Sequence, residues 1–180
     1  GLKLCDAFSS HLLTEQSKLV AECINASAMS VIGTMNIDCL VISACDDEPI
    51  NLQPLQNLRL KELTIVNGEE SDLTPLEGMP LEKLVLDDNS KVMDLYPIKN
   101  APVKILRVGD LCRDLESVQY MPLESISFKP KSIKYGLNIL RNMTTLRSIC
   151  GMPTNEFWDA LSNNPELNRI DYMGGYSSIP

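Results

Sequence analysis

Apolar positions along this chain fall into two alternating spacings. One reads apolar-x-x-apolar-x-apolar: Ile37, Leu40, Ile42, then Leu60, Leu63, Ile65, then Leu81, Leu84, Leu86, then Val103, Leu106, Val108, then Leu123, Ile126, Phe128, and a shortened Leu146, Ile149. The last two apolar residues of each set alternate with polar ones, the period of a strand buried on one face. The other spacing places apolar residues three apart: Leu52, Leu55, Leu58, then Leu73, Leu76, Met79, then Leu95, Ile98, Ala101, then Leu115, Val118, Met121, then Leu137, Leu140, Met143. Three-residue spacing suits a short 3₁₀ or α turn better than a strand. The lead-in "AMSVIGTMN" follows it too, with Met29, Ile32 and Met35.

The two spacings together make a repeated unit. "DLTPLEGMPLEKLVL" starts at Asp72, "DLYPIKNAPVKILRV" at Asp94 and "DLESVQYMPLESISF" at Asp114, steps of about 22 and then about 20 residues. A unit this short cannot bury its own apolar side, so each copy must stack on its neighbours. The expected fold is an α/β solenoid with about six short parallel strands and short 3₁₀ or α turns on the other side. Asn51, Asp72, Asp94 and Asp114 form a column ahead of the turns, placed to accept from their free N–H groups. Pro54, Pro75 and Pro97 preset φ in the turn, and Pro80, Pro102 and Pro122 end it by disfavouring helix in the residue before.

Helical caps are expected at both ends, giving an N-terminal cap over 1–28, repeats over 29–150, and a C-terminal cap and tail over 151–180, one domain overall. "TEQSKLVAECINA" reads as an amphipathic helix capped by Thr14, with Leu19, Val20, Cys23 and Ile24 on its apolar face, after a first helix in "LKLCDAFSSHLL". "PTNEFWDALSNNPEL" reads as a helix capped by Thr154, burying Phe157, Trp158 and Leu161, with Pro165 past its end; the tail "MGGYSSIP" is expected to be loosely held.

Composition narrows the functional classes. With 44% hydrophobic and 22% charged residues in 180, the chain has the balance of a folded domain. A formal net charge of -8 argues against nucleic acid, whose binding rests on clustered Lys and Arg. No apolar run reaches the length of a membrane-spanning helix. Gly1 in place of Met points to a processed product or a fragment. The six cysteines, Cys5, Cys23, Cys39, Cys45, Cys112 and Cys150, are scattered without a C-x-x-C, so free thiols in a reducing, cytoplasmic setting are favoured, with pairing left open by the even count.

"LTPLEGMPLEKLVLDDNSKVMDLYPI" resembles the short leucine-rich repeats of bacterial proteins, whose unit reads like L-S-P-L-K-G-M-P-L-x-x-L-x-L. "FKPKSIKYGLNILRNMTTLRSICGMPTNEFW" resembles the segment that closes such arrays, some of which follow a serine/threonine kinase domain. The resemblance runs from about residue 29 to 162 and implies a leucine-rich repeat solenoid; since such repeats occur on proteins of many activities, it implies no chemistry. Asn89 matches the family's Asn after the strand and Cys45 its alternative, whereas Gly68, Leu111 and Lys131 depart from it.

Catalytic and metal chemistry find little support. No Gly-rich phosphate loop, H-R-D or D-F-G is present, and the single histidine, His11, stands far in sequence from Cys112 and Cys150. The acidic pairs Asp46–Asp47, Glu69–Glu70 and Asp87–Asp88 lack a loop of alternating ligands and read as solvated turns, so no metal or cofactor is expected. The face between the inward apolar positions is the candidate site. It has three columns: Cys39, Glu62, Lys83, Ile105, Ser125, then Val41, Thr64, Val85, Arg107, Ser127, and Ser43, Val66, Asp87, Gly109, Lys129. Val41, Glu62, Thr64, Val66, Lys83, Val85, Asp87, Ile105 and Arg107 are the expected contacts for a protein or peptide, in a noncatalytic module that is a monomer or weak homodimer. The alternatives are a self-associating structural unit and a regulatory segment of a kinase.

Overall fold

The computed structural model describes residues 18–24, 26–44 and 50–164. Strand β1 (Lys18–Ile24) leads through helix α1 (Ala26–Ile32) to β2 (Cys39–Ala44), a 3₁₀ turn at Gln53–Leu55 and β3 (Glu62–Val66). Turns at Thr74–Leu76, Tyr96–Ile98 and Glu116–Tyr120 then alternate with β4 (Lys83–Leu86), β5 (Ile105–Arg107) and β6 (Ser125–Ser127). Turns at Pro130–Ser132 and Leu137–Asn142 precede β7 (Ser148–Ile149), β8 (Met152–Pro153) and helix α2 (Thr154–Ser162). All eight strands form one sheet in chain order. Pairing is parallel from β1 to β7 and antiparallel between β7 and β8.

Sequential parallel order makes the molecule a stack of coils. Leu40, Leu63, Leu84, Leu106, Ile126 and Ile149 stand opposite one another along the sheet and form a continuous buried row. On the turn side Leu55, Leu76, Ile98 and Val118 are equally buried. Each such side chain contributes about 1.5–3 kcal/mol on burial, and each touches the coil on either side, so stability resides in the stacking of neighbours.

The polar column ahead of the turns does what its chemistry suggests. Asn51, Asp72, Asp94 and Asp114 each accept through Oδ1 from the amide two residues on, at 2.9, 2.8, 2.8 and 2.7 Å. The bonded amide belongs to the first residue of each 3₁₀ turn, so the acceptor sits one place further out than an ordinary helix N-cap.

The N-terminal expectation is overturned within the described residues. Lys18–Ile24 is a strand paired in parallel with β2, not a cap helix, which raises the parallel strands from about six to seven. Leu19 and Ala21 pack towards the core while Val20 lies exposed, the two-residue alternation of a strand instead of a helical stripe. Pairing satisfies the free backbone edge of β2, a gain that a separate helix could not supply. Thr14 and the "LKLCDAFSSHLL" segment lie outside the described residues. At the other end α2 buries Phe157 and Leu161, and half-buried Trp158 carries the Arg141 guanidinium at 4.5 Å from its ring centroid. Thr154 is the first helical residue and not the cap; its amide donates to the Arg147 carbonyl. Pro165 and the tail fall outside the described residues.

Candidate functional site

The sheet brings the first two columns of the strand face into register. Cys39, Glu62, Lys83, Ile105 and Ser125 are successive partners, as are Val41, Thr64, Val85, Arg107 and Ser127. Alternation of strand side chains directs these residues away from the leucine row and onto the opposite face. Val66 and Ile105 are 38% and 43% exposed, and Val41, Thr64 and Val85 are half-buried between them. Cys39 departs from this pattern: it is buried, its Sγ lies 3.8 Å from Glu62 Oε2, and burial followed by the Glu62 charge raises its thiol above its ordinary pKa.

The third column holds only as far as β3. Ser43 pairs with Val66, but Asp87, Gly109 and Lys129 lie past the ends of their strands. Asp87 accepts from the amides of Asn67 and Asn89. Asn67 has φ 53°, a left-handed backbone that this carboxylate ties to the next coil. At Gly109 a Cβ would stand 2.5 Å from the Asp87 carbonyl oxygen, so the two coils touch backbone to backbone.

The charges on this face are already paired. Lys83 meets Glu62 at 3.5 Å, Arg107 meets Asp88 at 3.0 Å, and Lys129 meets Asp110. All these pairs are exposed enough for solvent to screen them, so a ligand group could exchange with them at little cost. Arg107, Ser127 and Lys129 also line, with Asp88, Asp110 and Cys150, a groove of about 400 Å³ past the strand ends. The strand face therefore interleaves aliphatic side chains with paired charges.

A fourth column escaped the columns read from the sequence. Asp38, Lys61, Glu82, Lys104, Glu124 and Arg147 follow one another from coil to coil, each amide of the later residue donating to the carbonyl of the earlier. Their charges alternate in sign, with Lys61–Asp38 at 3.6 Å and Lys104–Glu82 at 2.7 Å. The hydrogen bond with Lys104, and then its charge, hold the Glu82 carboxyl below its ordinary range, and the same contact raises Lys104. Reading one position upstream of the first strand column would have found it.

Burial corrects the acidic-pair expectation at one residue. Glu70 is no solvated turn residue: it is 1% exposed, while its neighbour Glu69 pairs with Lys91 at 2.6 Å. Asn89, the residue matching the repeat family's inward Asn, is exposed, and Ser90 fills the buried polar place beside it. Among the described residues no three His, Cys, Asp or Glu side chains gather as metal ligands, and no helix is long and apolar enough to cross a membrane. Cys39, Cys112 and Cys150 are free thiols. Burial pushes Cys112 up to about 11. His11, Cys45 and the Asp46–Asp47 pair fall outside the described residues.

No protein-family model, curated protein or solved structure matches this chain.

Proposed function

We propose that the chain is a leucine-rich repeat interaction module, of the short type that the sequence resembles, noncatalytic, and that it receives an extended peptide or protein segment across its strand face. One observation carries this reading: Val41 and Val85 in the second column and Ile105 in the first all lie on the strand face, the two valines half-buried and Ile105 43% exposed. β-branched residues suit strands for their own sake, yet a side chain on an outer face adds little to packing unless something covers it. The alternation of one strand with one 3₁₀ turn from β2 to β6 supports the family reading.

Neighbouring strands lie about 4.8 Å apart, so β2 to β6 span about 20 Å, the reach of roughly six extended residues. That is the scale of a peptide or a protein tail. Exposed Tyr96 and Tyr120 belong to the 3₁₀ turns, leaving the strand face without the aromatic anchors that dominate tight interfaces. Contact there is accordingly of modest affinity.

Selection of a displayed random-peptide library on the protein, followed by fluorescence anisotropy with the enriched peptides, tests the reading. Val85→Glu combined with Ile105→Glu is expected to weaken those peptides at least tenfold, about 1.4 kcal/mol, with the circular dichroism spectrum and melting temperature retained. Equal affinity for the folded double variant would remove the proposal.

A further inference from the structure

The corner that follows β3 contains a carboxylate that the stacking buries beside the Ser90 hydroxyl, outside hydrogen-bond geometry. Glu70 is 1% exposed, and neither of its oxygens has a hydrogen-bond partner among the described residues. Its surroundings are tight: a Cβ at Gly68 would come within 2.4 Å of Glu70 Oε2, 2.5 Å of Ile65 Cγ2 and 3.1 Å of Ile50 Cδ1. Buried polar groups are normally bonded, and an ionised one without a partner is among the most costly arrangements in a folded chain.

The polar groups around it act on its ionisation in opposite senses. From the following coil Asp87 faces Glu70 with a like charge, and buried Ser90 brings its hydroxyl near. Glu69 and Lys91, on either side of the corner, neutralise each other at 2.6 Å. The preceding coil contributes the apolar Ile50 beside Gly68. The same corner joins two coils through the Lys91 amide, which donates to the Glu70 carbonyl at 2.9 Å, and the Asn67 amide, which donates to the Asp87 carboxylate.

We propose that Glu70 is a proton-operated latch: its neutral carboxyl fills this corner and holds the turns after β3 and β4 together, and its ionisation releases residues 67–70 and 87–91 towards water. The device does not depend on what binds the strand face. Burial is the leading cause that raises the Glu70 pKa above its ordinary 4.5; the Ser90 hydroxyl and the residue's own amide oppose it, and the Asp87 charge adds to it. A carboxyl whose folded-state pKa is raised binds its proton more tightly when the corner is closed. The stabilisation is therefore complete below the ordinary value and is lost as pH rises through the raised one. Within that window the closed form loses up to about tenfold in population ratio per pH unit.

Two measurements on the whole chain decide it. Carbon-13 NMR of the side-chain carboxyls is expected to show Glu70 titrating above the ordinary glutamate value of 4.5. Amide hydrogen exchange, corrected for intrinsic rates, is expected to show protection at Asn67 and Lys91 falling severalfold or more between about pH 5 and pH 8, and staying level in Glu70→Gln. Titration of Glu70 in the ordinary glutamate range would overturn the latch, as would level protection in the wild type or a parallel fall in the variant. The wild-type titration stands alone should Glu70→Gln fail to fold.

Discussion

Polar side chains at the turns of this molecule act mainly within their own coil, while the backbone beside them reaches the next. Asp114 illustrates the point: its Oδ1 accepts from Glu116, its carbonyl from the Cys112 thiol, and its backbone bridges to Tyr135. Asp114→Ala should lower stability by about 1 kcal/mol, the ordinary cost of losing a turn-opening acceptor, and Asp114→Asn should restore most of it, as read by urea unfolding. An alanine variant as stable as the wild type would show the turn to be held by packing alone. The acceptor column was legible because such bonds span two residues of sequence. Glu70 was not, because its burial depends on Ile50 and on the turn of the following coil.

At the scale of the element, close approach between coils matters more than local propensity. Gly136 shows it, with φ 80° and a would-be Cβ at 2.6 Å from both the Glu116 amide nitrogen and the Leu115 carbonyl carbon. An L side chain there is strained in its own backbone and also collides with the neighbouring coil's backbone. Gly136→Ala should cost more than about 1 kcal/mol, measured by thermal denaturation, whereas alanine at Gly78, also at positive φ but with nothing nearby, should cost less. Equal costs at the two sites would mean that the contact with Leu115 and Glu116 is irrelevant. Strand β1 carries the complementary lesson. Its residues fit a helical face or an alternating strand, and periodicity over seven residues cannot separate them. The unpaired edge of β2 made the choice.

The whole molecule is a chain of nearest-neighbour interfaces, so a central core residue has two of them. Leu84 is fully buried between Leu63 and Leu106. Leu84→Ala should destabilise by about 2–5 kcal/mol in calorimetry, while Val85→Ala, one residue away on the strand face, should stay within about 0.5 kcal/mol. Comparable losses at both positions would indicate that the strand face is a packed surface and would weaken its reading as a binding face. Alternating charges along Asp38, Lys61, Glu82, Lys104, Glu124 and Arg147 belong to the same scale. Exposed pairs add little stability, and their pattern instead disfavours coils stacked out of register, where like charges would meet.

By itself the sequence determined the buried rows, the turn acceptors and the prolines, because each is written within one coil at spacings of two to four residues, and the repeat, because its copies recur about every 20 to 22 residues. The strand-face columns followed from aligning the copies. Tertiary structure alone decided that Lys18–Ile24 pairs as a strand, that Asp87 bonds to the previous corner, that Cys39 is buried, and that Glu70 is enclosed with neither oxygen in hydrogen-bond geometry with a described residue. Each of those outcomes depends on atoms about one coil away in sequence, brought near only when the coils stack.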